Sequence, residues 1–389
     1  MKRLLGIGGL LVVIIFGVLA TRPLWAREAA PPLAASLEAL PVAGAIDGFA
    51  RATQPGAIAF PRDLGPHDDY QTEWWYYTGN LTTADGRPFG FQFTIFRRAL
   101  TPPGDGDTAA ADGWRSNQVY LAHFTISDIA AGDFYPTERF SRGAAGLAGA
   151  TAVPYRVWLE DWSVEEVAPG QVRLHARTDA VALDLVLTQT LPPVLHGDGG
   201  LSQKGPEPGN ASYYYSIVQQ AAAGTVTVGG EAFDVTGRAW KDHEWSTSAL
   251  SEGAIGWDWL SLQLDDGSAL MLFEIRRADG TREAFSAGSF IAPDGTLTPL
   301  ALGDWTLDVT DSWTSPTSGA TYPAGWRIAV PSLGLALTGA PQMADQELNL
   351  STVYWEGAVR FDGTRGGAPV SAQGYIEMTG YAGSMAGQL

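Results

Sequence analysis

The sequence predicts an all-β protein made of two similar antiparallel β domains in tandem. Three observations carry this reading. Aromatic residues make up 11% of the 389 residues, with 14 Trp beside 47 Gly, a mixture suited to strands joined by tight turns. Apolar and polar residues alternate with period two through most segments after Phe60, as in FGFQFTIFRRAL, where Phe91, Phe93 and Ile95 interleave with Gln92 and Thr94. Two blocks also recur in the same order along the chain.

The first recurring block is DYQTEWWYYTGNLTTADGRPFGFQFTIFRR. It reads as a strand, a turn at Asp85-Gly86 and a strand ending in Arg97-Arg98. GWDWLSLQLDDGSALMLFEIRR repeats that plan, with its turn at Asp266-Gly267 and its end at Arg276-Arg277. The second block, YYYSIVQQAAAGTVTVGGEAFDVTGRAW, is echoed by VYWEGAVRFDGTRGGAPVSAQGYIEM. The two halves are expected to meet near Trp245 to Gly256.

Before the body, MKRLLGIGGLLVVIIFGVLATRPLWA places Lys2 and Arg3 ahead of an apolar run. Residues 1–26 therefore read as a signal peptide or membrane anchor, and the protein as exported to the periplasm or cell envelope. Residues 27–59, rich in Ala and Pro, read as a linker. The N-terminal domain is expected over 60–247 and the C-terminal domain over 248–389. Within the first, NQVYLAHFTISD, RVWLEDWSVEEV, QVRLHARTD and VALDLVLTQT each read as a strand. LPPVLHGDGGLSQKGPEPG, dense in Pro and Gly, reads as a long loop of the kind that carries function. Meanders of this spacing resolve their edges by closing into barrels or stacking as sandwiches.

Composition also excludes. A formal net charge of −18 repels phosphate backbones, so no nucleic acid partner is expected. With no Cys, disulfides and thiolate chemistry are absent. The sequence carries no G-x-S-x-G elbow, no H-E-x-x-H and no Gly-rich phosphate loop. The five His, at 67, 123, 175, 196 and 243, lack helical metal-ligand spacing, so neither a metal nor a cofactor is expected.

The densest polar cluster is GRAWKDHEWSTS. On a strand, Trp240, Asp242 and Glu244 share one face, and Lys241, His243 and Trp245 the other. Nearby, Trp257 and Trp259 of GWDWLSLQL share a face, with Asp258 opposite. A buried carboxyl can act as a general acid, and indole faces stabilise a cation. Asp242, His243, Trp245 and Glu73 are accordingly the candidate catalytic residues. Asp242 and His243 point oppositely on a regular strand, so their cooperation requires that the strand bulge or end there. Trp75, Tyr77, His123, Trp240, Trp257, Trp259 and Glu274 are the candidate ligand-binding residues. Of these, His123 shares an apolar face with Val119 and Leu121 and is also read as a core residue. In EWWYY, Glu73, Trp75 and Tyr77 share one face and Trp74 and Tyr76 the other. One set would fill a barrel and the other would meet the second domain. Glu73 qualifies as an acid only if it is buried without a cationic partner.

HDDYQTEWWYYTGNL, NQVYLAHFTISD, GRAWKDHEWSTS and GWDWLSLQLDDG, in this order, resemble the carotenoid hydratases and their exported bacterial relatives, the AttH-like proteins, often called predicted secreted hydrolases. The similarity runs from about Phe60 to Tyr381. The resemblance implies two tandem lipocalin-like barrels and a pocket for a terpenoid- or polyketide-like molecule. It also implies that the H-x-W residues, His243 and Trp245 here, take part in hydration. An aspartate-bearing strand of that family corresponds here to LMLFEIRR, whose carboxylate is Glu274. The resemblance points to an apolar small molecule or lipid as partner and to an ABC-type transport system, and the N-terminal run itself points to membrane association. Two functions follow: cofactor-independent hydration or hydrolysis of an isoprenoid or lipid-like molecule, or its carriage without chemistry.

Overall fold

A computed structural model describes residues 47–104, 116–247 and 250–385. The N-terminal signal or anchor segment lies outside these residues. Nearly everything described is strand. Its helical pieces are two three-residue 3₁₀ turns, Arg62–Leu64 and Pro331–Leu333.

The first sheet opens with the hairpin of β1 (Thr72–Thr83) and β2 (Pro88–Ala99). β3 (Gln118–Asp128) and β4 (Asp133–Arg142) extend it on one side. Then come β5 (Ala148–Ala152), β6 (Tyr155–Leu159), β7 (Trp162–Ala168), β8 (Gln171–Arg177) and β9 (Val181–Gln189). Two short pieces, β10 (Val194–Leu195) and β11 (Leu201–Gln203), precede the long strands β12 (Ala211–Val228) and β13 (Glu231–Ser246). Hydrogen bonding orders the sheet β4-β3-β2-β1-β13-β12-β9-β8-β7-β6-β5, with β10 and β11 on β12.

The second sheet contains β14 (Ala254–Leu264), β15 (Ala269–Arg277), β16 (Ala287–Ile291), β17 (Leu297–Ala301) and β18 (Thr306–Thr314). It continues through β19 (Thr321–Val330), β20 (Leu335–Pro341), β21 (Glu347–Asn349), β22 (Val353–Arg365) and β23 (Ala368–Met378). Its order is β17-β16-β15-β14-β23-β22-β20-β19-β18, with β21 on β22. The topology of the first sheet is repeated: in both, the opening hairpin pairs with the last strand of the sheet. The recurrence of the two sequence blocks thus has a direct counterpart in strand order. The expected turns fall at Gly86 and Gly267, whose positive φ values of 93° and 86° suit glycine.

Both sheets are curled and antiparallel, giving the two tandem lipocalin-like barrels the sequence predicts. β6 packs back against β2, β3 and β4, enclosing Trp75, Tyr77, Phe91, Phe93, Phe124 and Trp162. The second curl encloses Leu260, Leu262, Trp326, Trp355 and Phe361. RVWLEDWSVEEV departs from expectation: it is the β6–β7 hairpin, not one strand. Leu159 and Trp162 are both buried, which breaks the alternation, and Glu160 takes the positive φ of 56° that the turn requires. The long Pro/Gly segment is partly stranded, since β10 and β11 pair with β12 beyond its irregularity at Ile217–Gln220.

A third apolar cluster joins the sheets, with Tyr76, Tyr214, Trp240, Trp259, Met271, Phe273 and Tyr375 among its members. Amides reinforce this seam. Asn80 Nδ2 donates to the Gly374 carbonyl at 3.1 Å, and Gln263 Nε2 to the Val218 and Ala239 carbonyls at 2.7 and 3.0 Å. Close approach depends on Gly90: a Cβ there would lie 2.5 Å from the Tyr375 hydroxyl and 3.0 Å from Ala358 Cβ. Replacing Gly90 by Val should therefore cost about 1–3 kcal/mol through overpacking, measured as a lower urea midpoint.

Candidate functional site

Strand β13 lies between β1 and β12 and is buried on both faces from Ala239 to Ser246. Its register is regular through Asp242 and His243; the irregularity sits in β12. The two residues therefore point to opposite sides and serve two separate clusters, so the bulge their cooperation required is not there.

Lys241, His243 and Trp245 face the first barrel, with Glu73, Trp75 and Tyr77 of β1. At the centre is Glu73, whose side chain is fully buried. Arg97 Nε donates to its Oε2 at 2.8 Å, His243 Nε2 to its Oε1 at 2.8 Å and His67 Nδ1 to the same oxygen at 2.7 Å. Burial favours the neutral acid, but the Arg97 charge and the two histidine bonds outweigh it and hold Glu73 well below the usual carboxylate range. Glu73 is thus an ionised anchor. The condition for it to serve as an acid fails because Arg97 is its partner.

The other members of this cluster are ordered around that anion. Burial drives His243 down to about 3. The neutral ring gives its Nε2–H to Glu73 and accepts at Nδ1 from the Tyr215 hydroxyl at 3.0 Å. Lys241 Nζ reaches the same hydroxyl at 3.1 Å, and burial lowers its pKa to about 7. Burial opposes charge on His67 too, but bonds to Asp63 and Glu73 prevail and raise its pKa. His67, at a loop position, stacks on Trp245 with centroids 3.7 Å apart. Ligand atoms of His67, Glu73 and His243 all lie within 4.8 Å of one another, a spacing a metal ion could use. Each already has a hydrogen-bond partner, and Arg97 adds a positive charge beside them. Trp75 Nε1 donates to the Leu64 carbonyl at 3.1 Å and the Tyr77 and Tyr155 hydroxyls meet at 2.7 Å. These two rings pack in the first barrel and not in the seam.

Trp240, Asp242 and Glu244 face the seam. Asp242 Oδ1 accepts from Trp240 Nε1 at 2.6 Å and from the Ser216 hydroxyl, and Oδ2 from the Tyr214 hydroxyl at 2.7 Å. Burial is the larger effect and, against these donors, pushes Asp242 up to about 7. His196 bridges onward, with Nε2 2.6 Å from Ser216 Oγ and Nδ1 2.9 Å from Ser289 Oγ of the second sheet. The result is a buried chain Asp242–Ser216–His196–Ser289. Its hydroxyls and imidazole can reverse their donor sense together, so it can follow a change in the protonation of Asp242.

Trp259 Nε1 donates to the Tyr214 hydroxyl at 3.1 Å, and its ring meets Tyr76 edge-on at 5.2 Å. Trp257 Nε1 donates to Glu377 Oε1 at 2.6 Å. His123 is also on the seam side of its strand, bonded at Nδ1 to the Tyr354 hydroxyl at 2.7 Å and at Nε2 to Glu138 at 3.2 Å. Glu274 is elsewhere: it pairs with Asp258 across β14–β15, on the face opposite Trp257 and Trp259, and meets Arg282 at 3.2 Å.

Of the expected residues, the seam thus gathers Asp242, Trp240, Trp257, Trp259 and His123. Sequence reasoning did not single out His196, Ser216, Tyr214, Glu356 or Glu377. The repeat held a signal for one of them. Laying Tyr213-Tyr214-Tyr215-Ser216 over Val353-Tyr354-Trp355-Glu356 puts an acid where the first half has Ser216.

Two predictions follow from the two carboxylates. Glu73→Gln leaves Arg97 unpaired in the interior and should cost about 3–5 kcal/mol in denaturant unfolding. Asp242 has a folded pKa above its unfolded value, so its contribution is intact below pH about 4 and is lost as pH rises through about 7. Asp242→Asn escapes that loss. Its Tm relative to the parent should rise between about pH 5 and pH 8, by an amount on the order of a few kcal/mol in stability.

Comparison with known proteins places this geometry in a family. The family described as AttH-like matches residues 51–381. A crystal structure described as an AttH of Nitrosomonas europaea is 35% identical, covering 86% of this chain and 100% of that one with a TM-score of 0.75. Kievitone hydratase of Nectria haematococca shares the fold at 15% identity, with a TM-score of 0.65, over 88% of this chain and 98% of that one. Comparison with curated proteins returned no match. The chain belongs to the AttH-like family.

Proposed function

We propose that the protein binds an apolar, isoprenoid- or lipid-like molecule in the seam between its two sheets and adds water to it without a cofactor. The observation that carries this reading is Asp242: a carboxyl buried among indole and phenol rings, raised to about 7, and connected to a hydrogen-bonded chain. The likeness to kievitone hydratase is one of fold, and the chemistry is argued from this chain's own residues.

In the proposed reaction the protonated Asp242 gives its proton to one carbon of a ligand double bond. The adjacent carbon becomes cationic against the faces of Trp240 and Trp259. Water adds to that carbon and its surplus proton returns to the Asp242 carboxylate, directly or through Ser216. Ligand and water sum to the hydrated product, and the acid is restored. Protonation requires the neutral acid, so the step slows as pH rises through about 7. The His243 network on the other face holds β13 in register and acts as a positioning element.

The basic and apolar N-terminal run supports action after export, in the periplasm or cell envelope, on a molecule handled by an envelope transport system. A carrier without chemistry would use the same seam and return its ligand unchanged.

The test is mass spectrometry of the apolar molecule that co-purifies, after incubation in heavy-oxygen water. Uptake of label is expected with the parent protein. Asp242→Asn should lower turnover by about 100-fold or more while keeping the ligand bound. Unlabelled ligand throughout, or full turnover by Asp242→Asn, would refute the hydration reading.

A further inference from the structure

The polar atoms around Glu73 divide into two sets. Glu73 Oε2 is held from outside, by Arg97 Nε at 2.8 Å and by the backbone N–H of His67 at 2.9 Å. His67 Nε2 is held by Asp63 at 3.1 Å, and His243 Nδ1 by the Tyr215 hydroxyl at 3.0 Å. Three atoms remain: Glu73 Oε1, His67 Nδ1 and His243 Nε2. Among the described residues they bond only one another, Oε1 receiving the two rings at 2.7 and 2.8 Å. They also form the one group of three His, Asp or Glu donor atoms, among those residues, that lies within 4.8 Å.

We propose that Glu73 Oε1, His67 Nδ1 and His243 Nε2 bind one divalent transition-metal ion. Two imidazoles and a carboxylate suit Zn²⁺ or Fe²⁺, whereas Mg²⁺ and Ca²⁺ take oxygen ligands. Metal bonds of about 2.1 Å need ligand atoms about 3.0–3.5 Å apart. The two contacts to Oε1 have only to open by about half an ångström.

Every other group at the cluster suits that occupant. With the ion in place, each imidazole carries its proton on the far nitrogen, where Asp63 and the Tyr215 oxygen accept it. Partners of this kind orient metal-bound histidines. The Arg97 charge neutralises Glu73 through Oε2 and leaves Oε1 directed at the rings. Arg97 Nη2 also donates to the His67 and Tyr70 carbonyls at 2.7 and 2.9 Å, so it fixes the loop that carries one ligand. Trp245 stacks on His67 and Trp75 on His243, which restrains both rings.

The ligands come from three stretches: the loop before β1, β1 itself and β13. Their spacing along the sequence therefore gives no sign of them. One ion fastens that loop to two paired strands. It faces the first barrel, opposite Asp242, so it takes no part in the proton transfer proposed for the seam, and its role is structural. The Glu73 and His243 side chains are wholly buried while that of His67 is 13% exposed, so the ion enters beside His67.

The experiment uses the full chain, stripped with a chelator and titrated with Zn²⁺ against a chromophoric competitor, with Mg²⁺ as the control. One Zn²⁺ per chain is expected, held at least about 100-fold more tightly than Mg²⁺, and the thermal midpoint should rise with Zn²⁺ concentration. His67→Ala should weaken Zn²⁺ by about 100-fold, and Asp63→Asn, which keeps all three ligands, by about 10-fold. His175→Ala, on β8 and outside the cluster, should bind as the parent does. Circular dichroism of the metal-free variants checks their fold. Should His67→Ala not fold, His67→Gln, which can still donate to Glu73, takes its place with the same expected loss. Zn²⁺ binding that survives the His67 substitution, or that is no tighter than that of Mg²⁺, would overturn the site.

Discussion

Both faces of β13 are buried, and a strand must show alternate residues to alternate faces. Everything chemical in the molecule depends on that constraint. Because β1 and β12 hold β13 from both sides in continuous register around Asp242 and His243, no residue of Trp240 to Trp245 is free to change allegiance. Even-numbered residues belong to the seam between the sheets and odd-numbered ones to the first barrel. Two polar clusters are built back to back on one backbone, and a one-residue slip would exchange them.

The clusters show how environment decides what a carboxyl is. Glu73 and Asp242 are both buried and both accept several hydrogen bonds. Glu73 has the Arg97 guanidinium at 2.8 Å and is held as an anion. Asp242 has only neutral donors, and desolvation prevails. A charged partner is the difference between an anchor and an acid. The barrel network consequently fixes geometry, and the seam keeps the group that can change its proton at neutral pH.

Much of this was legible in the residues. Alternation showed the strands, Asp-Gly pairs marked the hairpins, and recurrence of the blocks foretold the shared strand order. The separation of Trp240, Asp242 and Glu244 from Lys241, His243 and Trp245 followed from period two alone. What alternation cannot show is which distant strand lies opposite. Arg97 meets Glu73 only because β2 pairs with β1, and His196 reaches Asp242 only because a Pro- and Gly-rich segment folds over β12. Glu274 illustrates the same limit: its acidity suited a site, but its parity on β15 turned it away. Leu159 to Trp162 hid a hairpin, since no Gly or Pro announces the turn at Glu160.

The placement of His196 has a mechanical consequence. Its ring touches Ser216 of the first sheet and Ser289 of the second at the same time. His196 is also held to β12 by its backbone amide on the Tyr214 carbonyl, so parting the sheets here separates it from Ser289 and leaves Asp242, Ser216 and His196 joined. The imidazole works as a clasp between the halves: Nδ1 meets the second sheet, while Nε2 stays with the partners of the acid.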